Sequence, residues 1–146
     1  MDLRDFDRSP PVAIAMTPFP HAVTGGEPVE TVATLMKRHG VRHVPVKEGA
    51  RVIGIISESD LRAADNPALG FSRDALCARD VLSPEPYVVD LHTPLSVVLR
   101  RMAEEKRSSA LILKGGRLAG IVSVTDVCRV LADILEARFG GGDEAA

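Results

Sequence analysis

The chain of 146 residues has no tryptophan, one tyrosine and four phenylalanines. Its formal net charge is −2, and it carries only two cysteines. Each scarcity excludes something. A slightly acidic chain with so few aromatic rings lacks both the basic field and the stacking platforms that nucleic acid demands, so no nucleic-acid partner is expected. Cys77 and Cys128 are far apart and belong to no Cys-x-x-Cys pair, which argues for reduced thiols rather than a disulfide framework. No run approaches the roughly 18 apolar residues of a membrane helix, and the acidic start Met1-Asp2-Leu3-Arg4-Asp5 has no apolar signal segment. A soluble cytoplasmic protein with no membrane partner is the expectation. Histidines are equally sparse: Gly40 interrupts the spacing of His39 and His43, and His21 and His92 stand alone. No metal site follows from them.

What the chain does have is itself, twice. Displaced by 66 positions, Met16–Ala64 falls on Leu82–Val130 without a gap, and 12 of the 49 pairs are identical. They include Pro18/Pro84, Pro28/Pro94, Met36/Met102, Gly54/Gly120, Ser57/Ser123 and Asp60/Asp126. Duplication of this kind dictates architecture. With 45% apolar residues there is enough to fill a core, and one domain with a pseudo-two-fold axis and two equivalent clefts is implied.

Each copy opens on a short extended piece, His21–Val23 or Tyr87–Val89. Pro28 and Pro94 then mark helix starts. Val29, Val32, Ala33 and Met36, and likewise Leu95, Val98, Leu99 and Met102, form one apolar stripe per helix. Gly40 closes the first helix; Lys106 stands in its place in the second. Two β-rich runs follow around a glycine turn, His43–Lys47 with Val52–Ser57 and Ser109–Leu113 with Leu118–Ser123, and read as hairpins. A helix leaves each hairpin near Glu58 or Val124, the second running to about Ala137. Each copy is therefore βαββα. The expected divisions are a flexible leader at 1–10, motifs at 11–64 and 80–138, a linker at 65–79 and a disordered tail at 139–146.

The chemistry concentrates at Gly54-Ile55-Ile56-Ser57-Glu58-Ser59-Asp60 and Gly120-Ile121-Val122-Ser123-Val124-Thr125-Asp126. A hydroxyl at a helix start favours a phosphate, and an acid three residues on suits the hydroxyls of a ribose. The same Ser-x-x-Asp pattern is a near relative of the capping box. Both readings stand at this point. No nucleophile–base pair emerges, so no catalytic residue and no enzyme is expected.

Met16-Thr17-Pro18, the segment Gly40-Val41-Arg42-His43-Val44-Pro45-Val46, the glycine turn and the Gly-Ile-Ile-Ser-x-x-Asp ending, duplicated in tandem, resemble a CBS-domain pair, or Bateman module. The resemblance covers about residues 12 to 137. It implies an α/β (α+β) fold of two βαββα motifs packed through their sheets, with two clefts that take an adenosine-containing ligand such as AMP, ADP, ATP or S-adenosylmethionine. That compound would be a sensed ligand rather than a cofactor. Carried over by position, it implies Asp60 for ribose, Ser57 for ribose or phosphate, Arg42 for phosphate, His43, Val44 and Pro45 as a wall, and Thr24 as a weaker candidate. In the second copy it implies Ser123 and Asp126, with Ser109, Ala110 and Leu111 as the wall. There Ser108 replaces the basic residue, Arg107 lies one position earlier, and Asp90 stands opposite Thr24. A charged phosphate is therefore expected in the first copy's cleft. The chain ends soon after the second copy, so a homodimer built on the last helix and a separate regulated protein are expected. The alternative is a ligand-free structural or dimerisation module.

Overall fold

The computed structural model describes residues 8–70 and 72–140. A single 3-10 turn at Val12–Ile14 leads into β1 (Thr17–Pro18), followed by β2 (Val23–Thr24), α1 (Val29–His39), β3 (His43–Glu48), β4 (Arg51–Ser57) and α2 (Glu58–Ala64). After two further 3-10 turns come α3 (Ala78–Val81), β5 (Val88–Asp90), α4 (Leu95–Glu105), β6 (Ser109–Lys114), β7 (Arg117–Ser123) and α5 (Val124–Phe139). The mixed α/β architecture with its duplicated βαββα order is the expected one. Strand ends extend one residue past the β-rich runs at Glu48, Arg51, Lys114 and Arg117. Pro28 and Pro94 prove to be N-caps and not first helical residues, each extended at ψ 145° and 134°.

One sheet has the order β2-β3-β4 and the other β1-β7-β6-β5. Each hairpin carries a register shift, at Val46/Lys47 and at Ile112/Leu113, so even the irregularity is repeated. The apolar stripe of α1 buries Val29, Val32 and Met36 against Val44, Val46 and Ile56; α4 buries Leu95, Val98 and Met102 against Ala110, Ile112 and Val122. Ile55, Leu111 and Ile121 join the halves where β4 meets β7. Burying such an aliphatic side chain is worth about 1.5–3 kcal/mol.

The cores do not follow the chain. Val12 and Ala15, which precede the first motif's strands, pack into the second half's core, whereas Ala78, with Leu76 and Val81 beside it, packs into the first. The backbone makes the exchange symmetric. Val12 N–H donates to Thr93 O and Leu95 N–H to Pro10 O; 66 positions away Ala78 N–H donates to Glu27 O and Val29 N–H to Leu76 O. The repeat thus begins at Pro10 and Leu76, earlier than residue identity reveals. Of the leader, residues 1–7 lie outside the described residues, but Ser9 and Pro10 are tied to α4, Ser9 Oγ accepting from Ser96 N–H at 3.1 Å. Of the tail, α5 runs on to Phe139, and residues 141–146 lie outside the described residues.

Two details follow from these contacts. Lys106 adopts φ +55°, the left-handed conformation that Gly40 takes at +63°, and Arg107 N–H then closes on Met102 O as Val41 N–H closes on Met36 O. Forcing a residue with a Cβ into that region costs about 1–2 kcal/mol, which the αL closure of the helix offsets. Gly54 and Gly120 face the crossing segments. A Cβ on Gly54 would lie 2.6 Å from Ser83 O, and one on Gly120 would lie 3.0 Å from Thr17 O.

Gly54→Ala is therefore expected to lower stability by about 1–3 kcal/mol through overpacking. Gly26→Ala, at an exposed position with open space around it, should stay within about 0.5 kcal/mol. Urea midpoints at unchanged slope measure both, and equal effects would refute the tight crossing.

Candidate functional site

Both Ser-x-x-Asp motifs form complete capping boxes. Asp60 N–H donates to Ser57 Oγ at 3.2 Å and Ser57 N–H to Asp60 Oδ2 at 2.8 Å. Asp126 and Ser123 repeat the exchange at 3.3 and 2.8 Å. The two acids differ beyond that. Asp126 is 4% exposed. Its Oδ2 also accepts from Ser123 Oγ, and its Oδ1 accepts from Thr17 Oγ1 and Arg129 Nη1, all at 3.0 Å. Asp60 is half-buried, and no hydrogen bond from the described residues reaches its Oδ1.

A hollow lies beside each acid, and each is built from both halves. The larger, about 470 Å³, brings Asp126, Ser123, Thr17 and Arg129 together with Arg42 and His43. The smaller, about 190 Å³, brings Asp60 and Ser57 together with Ser83, Tyr87, Arg107 and Ser109. His43 and Ser108 line both, His43 Nε2 lying 2.9 Å from Ser108 Oγ, so this pair forms the partition.

This corrects the expected grouping. Arg42 lines the hollow of Asp126 and not that of Asp60, although its carbonyl accepts from Glu58 N–H at the start of its own half's capped helix. The arginine is 80% exposed at its side chain and only loosely paired, 3.5 Å from Glu58. Arg107 does point into the smaller cleft, but it is committed: Nε donates to Glu105 and Nη1 to Glu85 O, each at 2.9 Å. Thr24 lines neither cleft. It pairs with Lys47, at the far end of β3 from His43, and its N–H donates to Glu27. Asp90 is likewise remote, pairing beside Leu113 and accepting from His92 N–H, so it opposes no phosphate in either hollow. Val44, Pro45, Ala110 and Leu111 are fully buried and line neither hollow; the side chains of Val44, Ala110 and Leu111 go into the cores.

Thr17 and Arg129 were not among the expected site residues. Thr17 corresponds to Ser83, a conservative hydroxyl pair that an identity count passes over. Arg129 is one turn beyond Asp126 and corresponds to Ala63, so the repeat gives no sign of it. The exposed rings of His21 and His39 stack with centroids 3.6 Å apart. Among the described residues no three His, Cys, Asp or Glu side chains gather as metal ligands.

Burial holds His43 below its ordinary value of 6.5; Asp60 opposes the shift and Arg42 adds to it. His43 is therefore neutral near pH 7, an imidazole whose tautomer decides whether it donates to or accepts from Ser108 Oγ.

The CBS-domain family profile matches residues 7–66 and 78–133. The chain belongs to the CBS-domain family. The CBS-domain chain is 31% identical over 123 residues to a zinc metalloprotease of Methanocaldococcus jannaschii, a match covering 84% of this chain and 32% of that protein. It thus spans about a third of that relative's length. The solved structure of CBSX2 in complex with AMP superposes with a TM-score of 0.73 at 26% identity, covering 85% of this chain and 97% of the other. The CBS domain pair of protein MJ0100, in complex with 5-methylthioadenosine and S-adenosyl-L-methionine, has a TM-score of 0.72 at 19% identity, covering 83% and 98%. No helix among the described residues is long and apolar enough to cross a membrane.

A histidine whose folded pKa is lowered binds fewer protons than the unfolded chain does just below pH 6.5. Stability contributed by neutral His43 is therefore complete above about 6.5 and is lost as pH falls from there through the lower folded value. Chemical denaturation between pH 7.5 and 5 is expected to show this decline, and His43→Gln to flatten it. An identical pH slope in the variant would show that His43 is not the titrating group.

Proposed function

We propose that this CBS pair is a regulatory module that binds an anionic adenine nucleotide in its larger cleft and reports occupancy to a partner protein. One observation carries the reading: a 470 Å³ hollow in which Arg42 and Arg129 flank a capped hydroxyl–acid pair. That volume falls within the roughly 300–1,000 Å³ of ordinary small-molecule sites, whereas 190 Å³ does not. The ribose hydroxyls take the place of Thr17 Oγ1 and Arg129 Nη1 at Asp126 Oδ1. Arg129, 63% exposed at its side chain, is solvated on leaving that pair, and the ribose hydroxyls satisfy the buried carboxylate in its place. Its guanidinium joins Arg42 on the phosphate, where planar bidentate donors are at their strongest. Two cations favour AMP, ADP or ATP over S-adenosylmethionine, itself a sulfonium cation. The AMP complex of the related CBSX2 supports the same class of ligand. On this reading the module regulates rather than catalyses, and works in the cytoplasm, where Cys77 and Cys128 stay as thiols.

At about 100 times its dissociation constant a ligand adds roughly 2.7 kcal/mol to stability. A thermal-shift panel of AMP, ADP, ATP and S-adenosylmethionine is expected to stabilise the protein with the nucleotides most. Arg42→Gln should weaken AMP by about tenfold or more, since hydrogen bonds to charged groups are worth about 1.5–3 kcal/mol, without lowering the ligand-free midpoint. No shift with any compound would favour the ligand-free structural module, a reading the saturated oxygens of Asp126 support.

The surface that meets a partner is α5. Val124, Leu131, Leu135 and Phe139, 50%, 53%, 48% and 72% exposed, fall with Cys128 on one face at helical spacing. A second copy covering this stripe completes a homodimer. Sedimentation equilibrium is expected to give a dimer for the native chain and a monomer for Leu131→Glu combined with Leu135→Glu. A native monomer at all concentrations would remove the dimer from the reading.

A further inference from the structure

The duplicated halves make each cleft a template for the other. In the smaller, Glu85, Pro86 and Tyr87 form one wall. Their equivalents are Phe19, Pro20 and His21, and both segments read Pro-x-Pro followed by an unsaturated ring. Yet none of Phe19, Pro20 and His21 lines the larger cleft, although Thr17 just before them does. The two hollows otherwise correspond closely, and this segment is the main part that one has and the other lacks.

The cause is visible in the neighbours. Over the smaller cleft the segment is pinned inward: Glu85 O accepts from Arg107 Nη1 at 2.9 Å, and the guanidiniums of Arg101 and Arg107 sit 5.5 and 5.9 Å from the Tyr87 ring centre. At the position of Arg107 the first copy has Val41, which has no side-chain donor. The segment there stands away from its cleft. Phe19 is 87% exposed and holds φ +48°. A bulky residue in the left-handed region is an outlier that marks stored strain. What keeps it there is slight: Phe19 N–H donates to Ala119 O at 3.0 Å, and His21 stacks on His39.

The geometry points to residues Phe19–His21 as a lid that folds onto the larger cleft when a nucleotide enters, with the Phe19 ring stacking on the base. This rests on the nucleotide reading of that cleft. The polar residues already placed there account for sugar and phosphate, and the rings that line the hollow, His39 and His43, are engaged with His21 and Ser108, so the base still needs an aromatic partner. Phe19 supplies it, and closure relieves both an exposed apolar ring and a strained backbone. Proline on either side restricts the segment to few conformations, so little chain entropy opposes the movement.

The chain has no tryptophan, so Phe19→Trp introduces a single tryptophan at the lid tip, excited at wavelengths where Tyr87 does not absorb. AMP binding is measured independently by equilibrium dialysis. The expected result is an emission shift on adding AMP and a several-fold drop in quenching by acrylamide. Phe19→Ala should raise the AMP dissociation constant about 5- to 150-fold, the range for loss of one base–aromatic stack, and Phe19→Tyr should restore it. AMP bound in dialysis with emission and quenching unchanged overturns the lid and leaves the nucleotide reading standing. Failure of AMP, ADP and ATP to bind in dialysis overturns that reading, and the lid falls with it.

Discussion

Each half of this molecule is closed by a segment that the chain delivers from the other side. Residues 10–18 cap α4 and add a strand beside β7, and residues 76–83 cap α1 and lie against β4. Val12 and Ala78, the pivots of the exchange, have no exposed surface. Withdrawing either segment would uncover a core and leave the first amide of a helix without its acceptor. Neither half is therefore a free-standing unit. Both clefts inherit this constraint, because Thr17, whose hydroxyl bonds Asp126, and Ser83, which lines the hollow beside Asp60, ride on the exchanged segments.

The exchange also explains what could be read from the residues and what could not. Strands, helices and their order were legible because side-chain pattern determines them: apolar spacing, glycine turns and paired prolines recur 66 positions apart. The segments that cross were not legible. Pro10 and Leu76, Pro11 and Cys77, Val12 and Ala78 share no identity, since their task is performed by carbonyls and amides that every residue carries. Lys106 shows the same limit. A lysine gives no sign of a left-handed helix end, yet the turn that Gly40 makes freely is imposed there by its surroundings.

At the site the difficulty was of another kind. Ser57-x-x-Asp60 and Ser123-x-x-Asp126 are capping boxes and cleft walls at once, and the two descriptions use the same atoms. What separates the acids is their company: Asp126 receives Thr17 and Arg129, whereas one oxygen of Asp60 receives no hydrogen bond from the described residues. Such partners come from the opposite half or from the next turn of helix. Assigning Arg42 to Asp60 by position along the chain therefore paired residues that the pseudo-two-fold packing keeps in different hollows.

Duplication began with two like clefts, and a few substitutions have driven them apart in charge and volume. Where one copy has Val41 and Arg42 the other has Arg107 and Ser108. The first arrangement leaves an arginine at the edge of an open space. In the second the arginine has moved one place and closes on Glu105, Glu85 and Tyr87, filling the space with the protein's own groups. A cation so engaged has little left to offer an anion, because its donors are spent. The divergence is incomplete in one respect. His43 and Ser108 form a wall common to both hollows and are joined to each other. The open cleft and the filled one therefore still share a boundary, made of the same two side chains.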